Sequence, residues 1–197
     1  MPEPDSTVQI GPIRWIQLAH ATGVAAEAAA SAWLTGQLDT DAARLGISRD
    51  AYGRPRLASG GGGDYDVSWS HSGDHLLVAM GQGVAIGADL ERLRPRPRAL
   101  ELASRFFAPA ESRWLHAQPA AGRDLAFVRL WCAKEAVLKA HGRGIAFGLH
   151  RFEVGEQGGA MRLLEADPAL GAVADWSLYE FEPSPGYRAA LAWRALR

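Results

Sequence analysis

The sequence predicts an α+β protein built as two α/β two-layer halves, a pseudo-twofold pair of similar subdomains with antiparallel strands packed on a long helix. Three observations predict it. Apolar and polar residues alternate with period two in Tyr65–Ser70 and Val84–Glu91, the pattern of strands. Long helical runs occupy 24–38 and 124–141. Between the second strand pattern and the second long helix lies a basic, proline-broken stretch, RLRPRPR at 92–98, which suits a seam between halves 1–91 and 92–197.

Taken in order, Ile13–Leu18 reads as a first strand and the alanine-rich Val24–Leu38 as a helix. SGGGGD at 59–64 reads as a flexible loop. The strand that follows places Tyr65, Val67 and Trp69 on one face and Asp66, Ser68 and Ser70 on the other, and His71-Ser72-Gly73-Asp74 turns the chain. Leu76–Met80, the turn Gly81-Gln82-Gly83 and Val84–Glu91 then complete an expected antiparallel meander. Beyond the seam, Leu100–Phe107 and Ala110–Ala117 read as short helices, with Pro109 suited to a first turn. The run Asp124–His141 ends at Gly142, and DWSLYEFE and YRAALAWRA flank Pro183-Ser184-Pro185-Gly186 as a last hairpin.

A chain of 197 residues, 48% of them hydrophobic, is long enough for a sizeable core. Its formal net charge of −1 gives no overall field for nucleic acid or an anionic membrane, so neither partner is expected. A single cysteine, Cys132, excludes an intramolecular disulfide; a basic apolar leader and a span of about 20 apolar residues are both missing from the reading. A cytoplasmic protein is expected.

Chemistry concentrates at GADLE, residues 87–91. In a strand, Asp89 and Glu91 share one face with the small Ala85 and Gly87, and two such carboxylates repel unless a cation lies between them. A hard ion such as Mg²⁺ takes oxygen ligands of this kind; two ordinary surface acids at a strand end are the plainer alternative. The helix WCAKEAVLK at 131–139 adds weight to the cation. Val128, Trp131, Glu135, Leu138 and Lys139 fall on one broad face, so a glutamate sits in an apolar stripe where an unpaired carboxylate is costly. Lys139, one turn on, suits either an i,i+4 ion pair with Glu135 or a phosphate contact. In VSWSHSGD, Ser70, His71 and Ser72 can present donors to a phosphate at a strand-to-turn transition. His71 and His75 straddle Gly73 and a turn, which argues against a helical zinc pair, and no Gly-x-Ser-x-Gly elbow supports a serine hydrolase. Trp131 reads as a core anchor and Cys132 as a buried, inert thiol.

The ordered set YGRP (52–55), SHS (70–72), GADLE (87–91), RFFAPAE (105–111) and WCAKEAVLKAHGRGI (131–145) resembles the Sfp-type 4′-phosphopantetheinyl transferases over about the C-terminal three quarters of the chain. The resemblance implies a cleft between two halves that binds coenzyme A, and transfer of its 4′-phosphopantetheine arm to a serine of an acyl or peptidyl carrier protein, with adenosine 3′,5′-bisphosphate released. It implies Asp89, Glu91 and Glu135 as ligands of Mg²⁺ (or Mn²⁺), with Glu135 and Lys139 as the proton-moving pair. It further implies Gly53, Arg54, Pro55, Ser70, His71, Lys134 and Lys139 as coenzyme A contacts, and a monomer. The rivals are a non-catalytic coenzyme A or carrier-binding module and a metal-dependent nucleotide phosphohydrolase. One departure stands out: family members usually carry Arg or Lys on the first long helix for the 3′-phosphate of coenzyme A, and His20–Leu38 contains neither. Arg54, with Arg56, is expected to take that task. The arginines at 92, 94, 96 and 98 are expected either to be a solvated connector or to steer acidic carriers, and Phe106 and Phe107 to be core or part of the carrier-docking surface.

Overall fold

In chain order the computed structural model, which describes residues 6–21, 23–58 and 64–196, begins with the strands β1 (Val8–Ile10) and β2 (Ile13–Ala19). The helices α1 (Ala26–Leu38) and α2 (Ala42–Leu45) follow, then the short strands β3 (Ser48–Arg49) and β4 (Pro55–Arg56). Three long strands come next: β5 (Tyr65–Ser72), β6 (His75–Gln82) and β7 (Val84–Arg92). After the connector stand the helices α3 (Ala99–Phe106), α4 (Pro109–His116) and α5 (Ala120–His141). Two hairpins close the chain, β8 (Phe152–Gln157) with β9 (Ala160–Ala166), and β10 (Trp176–Phe181) with β11 (Tyr187–Ala195). The glycine loop expected at 59–64 lies, but for Asp64, outside the described residues. Among the described residues no helix is long and apolar enough to cross a membrane.

The strands form two principal sheets, β1-β2-β6-β5 and β10-β11-β7. The expected three-stranded meander is therefore half right. β5 and β6 pair antiparallel from Tyr65↔Gln82 to Ser72↔His75, but β7 leaves the turn at Gly83 and pairs with β11 along its whole length, from Val84↔Ala195 to Arg92↔Tyr187. The two sheets thus part at the β6–β7 turn rather than at the RLRPRPR connector.

The reason lies in the polar face of β5. Asp66 and Ser68 are buried, and they do not face water: the Asp66 carboxylate accepts from Ile86 N (2.8 Å), and Ser68 Oγ from Ala88 N (2.9 Å). Ser72 Oγ accepts from Arg92 N (3.0 Å). Alternate side chains of β5 replace the carbonyls of a missing neighbour strand, and the β7 edge is satisfied by a side-chain seam. The other face of β7, with Val84, Ile86, Ala88 and Leu90, packs on Ile13, Trp15, Leu77 and Leu191, as the alternation predicts.

The helix α5 begins at Ala120, four residues before the expected start, with Pro119 as the residue that precedes it. It stops where Gly142 takes a left-handed conformation (φ 92°). Most of its circumference is buried, between the β7–β11 sheet and the Phe107, Phe127 and Phe152 side of the core. Gly87 lets it sit close: a Cβ there would lie 1.9 Å from the Ala136 carbonyl oxygen. The β8–β9 hairpin was not read from the sequence, although Gly158-Gly159, both with positive φ, is the two-residue turn such a hairpin uses.

Candidate active site

Three residues of β7 and α5 meet where Gly87 lets the helix approach. Asp89 is 5% exposed, and its Oδ1 accepts from Lys139 Nζ (2.7 Å) and from Ser70 Oγ (2.9 Å). Lys139 also donates to the Ala88 carbonyl (2.9 Å), so its ammonium is fixed against the strand. Glu135, one helical turn earlier, is buried, and its Oε1 has no hydrogen-bond partner; nor has Asp89 Oδ2. Burial first, and the negative charge of Asp89 second, push the Glu135 carboxyl up to about 7, with Lys139 opposing them. Lys139 is therefore paired with Asp89 rather than with Glu135, the partner that helix spacing alone offers.

Glu91 stands apart from this pair. It accepts from Arg96 Nη2 (2.6 Å) and from Ser72 Oγ (3.3 Å). Among the described residues no three His, Cys, Asp or Glu side chains are gathered around one point as a metal-ligand set. The donor chemistry nonetheless fits a hard divalent cation: Glu135 Oε1 and Asp89 Oδ2 are buried and accept from no N–H or O–H, the Cys132 thiol being a weak donor beside the Asp89 carboxylate, and an oxygen-only set of this kind suits Mg²⁺ or Mn²⁺.

Glu135 and Lys139 line a cleft of about 320 Å³ that is also walled by Arg49, Tyr52, Gly53, Pro55 and Trp69. The wall has local causes. Asp50 Oδ1 accepts from Tyr52 N (2.9 Å) and Arg54 N (3.1 Å), closing a turn in which Gly53 takes φ 79°. Arg49 donates to the Gly53 carbonyl (2.8 Å) and to Glu27 (2.7 Å), and its guanidinium lies 5.5 Å from the Trp69 ring centroid. Tyr52 and Ile145 stand exposed at the two lips.

The structure thus brings Gly53, Arg54, Pro55, Glu135 and Lys139 to one cleft and links Ser70 and Asp89 to it through Lys139. Arg54 is there in a way the sequence did not announce: its side chain is buried and bonded to Asp66, Ile86 O (2.8 Å) and Ala140 O (3.1 Å). Lys134 is a correction. It is fully buried on the far side of α5, where its ammonium donates to Glu111 and to the Phe152 carbonyl (2.8 Å) under the Phe107 and Phe152 rings. It has no surface to offer coenzyme A. His71 points to the other face of β5 from Ser70 and lies exposed, with its ring 5.0 Å from that of His20.

Of the connector arginines, Arg96 is turned to Glu91 and Arg98 to Glu101 (2.8 Å), whereas Arg94 is exposed. Phe107 is core, stacked on Phe127 at 5.8 Å, and Phe106 is exposed on α3. Trp131 joins that aromatic cluster, 5.9 Å from Phe127, and Cys132 is buried with its thiol pushed up by burial. Arg49, Asp50, Asp66, Ser68 and Arg96 belong to this region without a motif that marks them. Only the period-two run Asp66, Ser68, Ser70, Ser72 carried a signal, and its partner strand was not legible.

Comparison with known proteins gives the chain its family. A family model described as the 4′-phosphopantetheinyl transferase superfamily matches residues 85–192, a span that contains Asp89, Glu91, Glu135 and Lys139. The 4′-phosphopantetheinyl transferase HetI of Nostoc is 35% identical over 164 residues, covering 81% of this chain and 65% of its own length. The 4′-phosphopantetheinyl transferase psf-1 of Bacillus pumilus is 35% identical over 132 residues (66% and 53%), and Sfp of Bacillus subtilis 28% over 156 residues (79% and 66%). The matches cover between half and two thirds of these relatives. With the family model spanning more than half of it, the chain belongs to the 4′-phosphopantetheinyl transferase superfamily.

Proposed function

We propose that this chain transfers the 4′-phosphopantetheine arm of coenzyme A to a serine hydroxyl of an acyl or peptidyl carrier protein and releases adenosine 3′,5′-bisphosphate. The observation that carries the reading is the buried, partnerless Glu135 Oε1 beside Lys139 in a cleft walled by Gly53 and Pro55, with Asp89 tied to that cleft through Lys139. In the reaction the serine oxygen bonds to the β-phosphorus, the bond from that phosphorus to the adenosine-side oxygen breaks, and the serine proton leaves to a base. Glu135, which lines the cleft beside Lys139, is the base proposed for that proton. Lys139 offers a fixed ammonium to the pyrophosphate, and the Gly53-Arg54-Pro55 turn offers its backbone and the Pro55 ring to the nucleotide.

Asp89 and Glu135 would hold a divalent cation, Mg²⁺ or Mn²⁺, with Glu91 as a third ligand once it leaves Arg96; when bound, the ion neutralises pyrophosphate charge. The two sheets then form a pseudo-twofold pair in which α1 covers one and α5 the other, and the cleft is lined by the 49–55 turn, β5 and α5. Because one chain supplies the whole lining, a monomer suffices for the proposed reaction, and a cytoplasmic location belongs to the same reading.

Release of adenosine 3′,5′-bisphosphate from coenzyme A is the direct test. It is expected only with an apo carrier whose serine is intact. Release without carrier would support the phosphohydrolase reading, and binding of coenzyme A with no release the binding-module reading.

A further inference from the structure

Arg54 belongs to the stretch expected to grip the nucleotide and borders the cleft, yet both terminal nitrogens of its side chain are bonded inside the protein and its Nε, which has no partner, is buried. Nη1 donates to the Ala140 carbonyl (3.1 Å) and Nη2 to the Ile86 carbonyl (2.8 Å) and the Asp66 carboxylate. Its backbone is held as firmly, with the amide on Asp50 Oδ1 (3.1 Å) and the carbonyl accepting from Asp50 N (3.0 Å). Asp66 in turn accepts from Ile86 N (2.8 Å).

These acceptors have a common meaning. Ala140 follows Lys139 in the last turn of α5, where helix carbonyls lack intrahelical partners. Ile86 precedes Gly87, Ala88 and Asp89 on β7, and Asp66 starts the β5 seam. One guanidinium therefore joins the cleft wall, the end of the helix that bears Glu135 and Lys139, and the strand that bears Asp89. A planar fork with five donors can serve three acceptors in fixed directions; a lysine ammonium at the end of a flexible stem cannot replace it in kind.

We infer that Arg54 is a positioning residue, which sets the width of the cleft by clamping the 50–55 turn to the end of α5 and to β7, and that it does not contact the 3′-phosphate of coenzyme A. The inference rests on the transferase reading for its kinetic part alone.

The experiment compares wild type with Arg54→Lys and Arg54→Gln, each first shown to melt cooperatively. Coenzyme A and its 3′-dephospho form are supplied with an apo acyl carrier protein, and affinity for each nucleotide is measured separately by calorimetry. Amide hydrogen exchange is followed in Tyr52–Gly53 and Gly142–Ile145. The clamp predicts faster exchange in both segments in either variant. It also predicts a fall in kcat of about 10-fold or more, the scale of catalytic misplacement, by the same factor for both nucleotides. The preference for coenzyme A over its dephospho form stays within about twofold of wild type.

Selective loss of that preference, with turnover of dephospho-coenzyme A unchanged, would overturn the inference and make Arg54 a phosphate contact. Unchanged exchange in both segments would overturn it equally. If the wild type transfers nothing, the transferase reading falls, while exchange and nucleotide affinity still decide the clamp.

Discussion

Gly87 and Ala136 touch so closely that strand and helix meet through backbone: a Cβ on Gly87 would lie 1.9 Å from the Ala136 carbonyl oxygen and 2.5 Å from Ala140 N. This contact lets Lys139 reach Asp89. Gly87→Ala is therefore expected to push α5 away, at a cost of about 1–3 kcal/mol or more for overpacking. Urea unfolding should show the loss, and Mg²⁺-dependent stabilisation should weaken with it.

Glu135 carries a buried carboxylate with a partnerless oxygen, so its negative charge is costly where no cation offsets it. Glu135→Gln should raise stability without divalent ions at pH 8, by about 1–3 kcal/mol on the scale of an unsatisfied buried group. Mg²⁺ should raise the melting temperature of the wild type and leave that of the variant unmoved. A variant less stable than wild type without metal would count against the site.

Arg96 holds Glu91 at 2.6 Å. Arg96→Ala removes this internal competitor, and Mn²⁺ affinity measured by calorimetry should tighten about 10-fold, the equivalent of about 1.4 kcal/mol. Arg94 is exposed and has no such duty. Charge reversal there is expected to raise KM for an acidic carrier several-fold at low salt, with kcat little changed.

Lys134 and Glu111 form a buried ion pair that braces α5 against α4, with Glu111 also accepting from Ala108 N (2.8 Å) and Val154 N (2.7 Å). Lys134→Met strands that carboxylate and should cost about 3–5 kcal/mol, with coenzyme A affinity intact. Burial, opposed by Glu111, lowers the Lys134 ammonium to about 8. Unfolded lysine keeps its proton to about 10.4. Between those values the unfolded chain binds more protons, so this group's contribution to stability rises with pH across that window and is at its least favourable below it. Denaturation of wild type and Lys134→Met from pH 7 to 10 should show the gap between them widening upward.

The sequence carried the site's chemistry better than its wiring. GADLE alternation placed Asp89 and Glu91 on one face because side chains on a strand must alternate, and helix spacing put Glu135 and Lys139 on one side of α5. Periodicity cannot say which partner an edge strand takes, and β7 therefore went to β11 rather than β6. The same limit hid the seam: alternation puts Asp66 and Ser68 on the polar face of β5 but cannot show that both are buried against β7. Lys134 failed for a related reason. Its neighbours in sequence belong to the site, but a helix turns it by about 100° per residue, away from Glu135 and towards Glu111.

The most direct test is the intact mass of an apo acyl carrier protein after incubation with coenzyme A, Mg²⁺ and either the wild type or Glu135→Ala. The account predicts a gain of one phosphopantetheine arm per carrier with wild type and none with the variant. An unmodified carrier with wild type, when coenzyme A is bound and several carriers have been tried, would contradict it, as would undiminished transfer by Glu135→Ala.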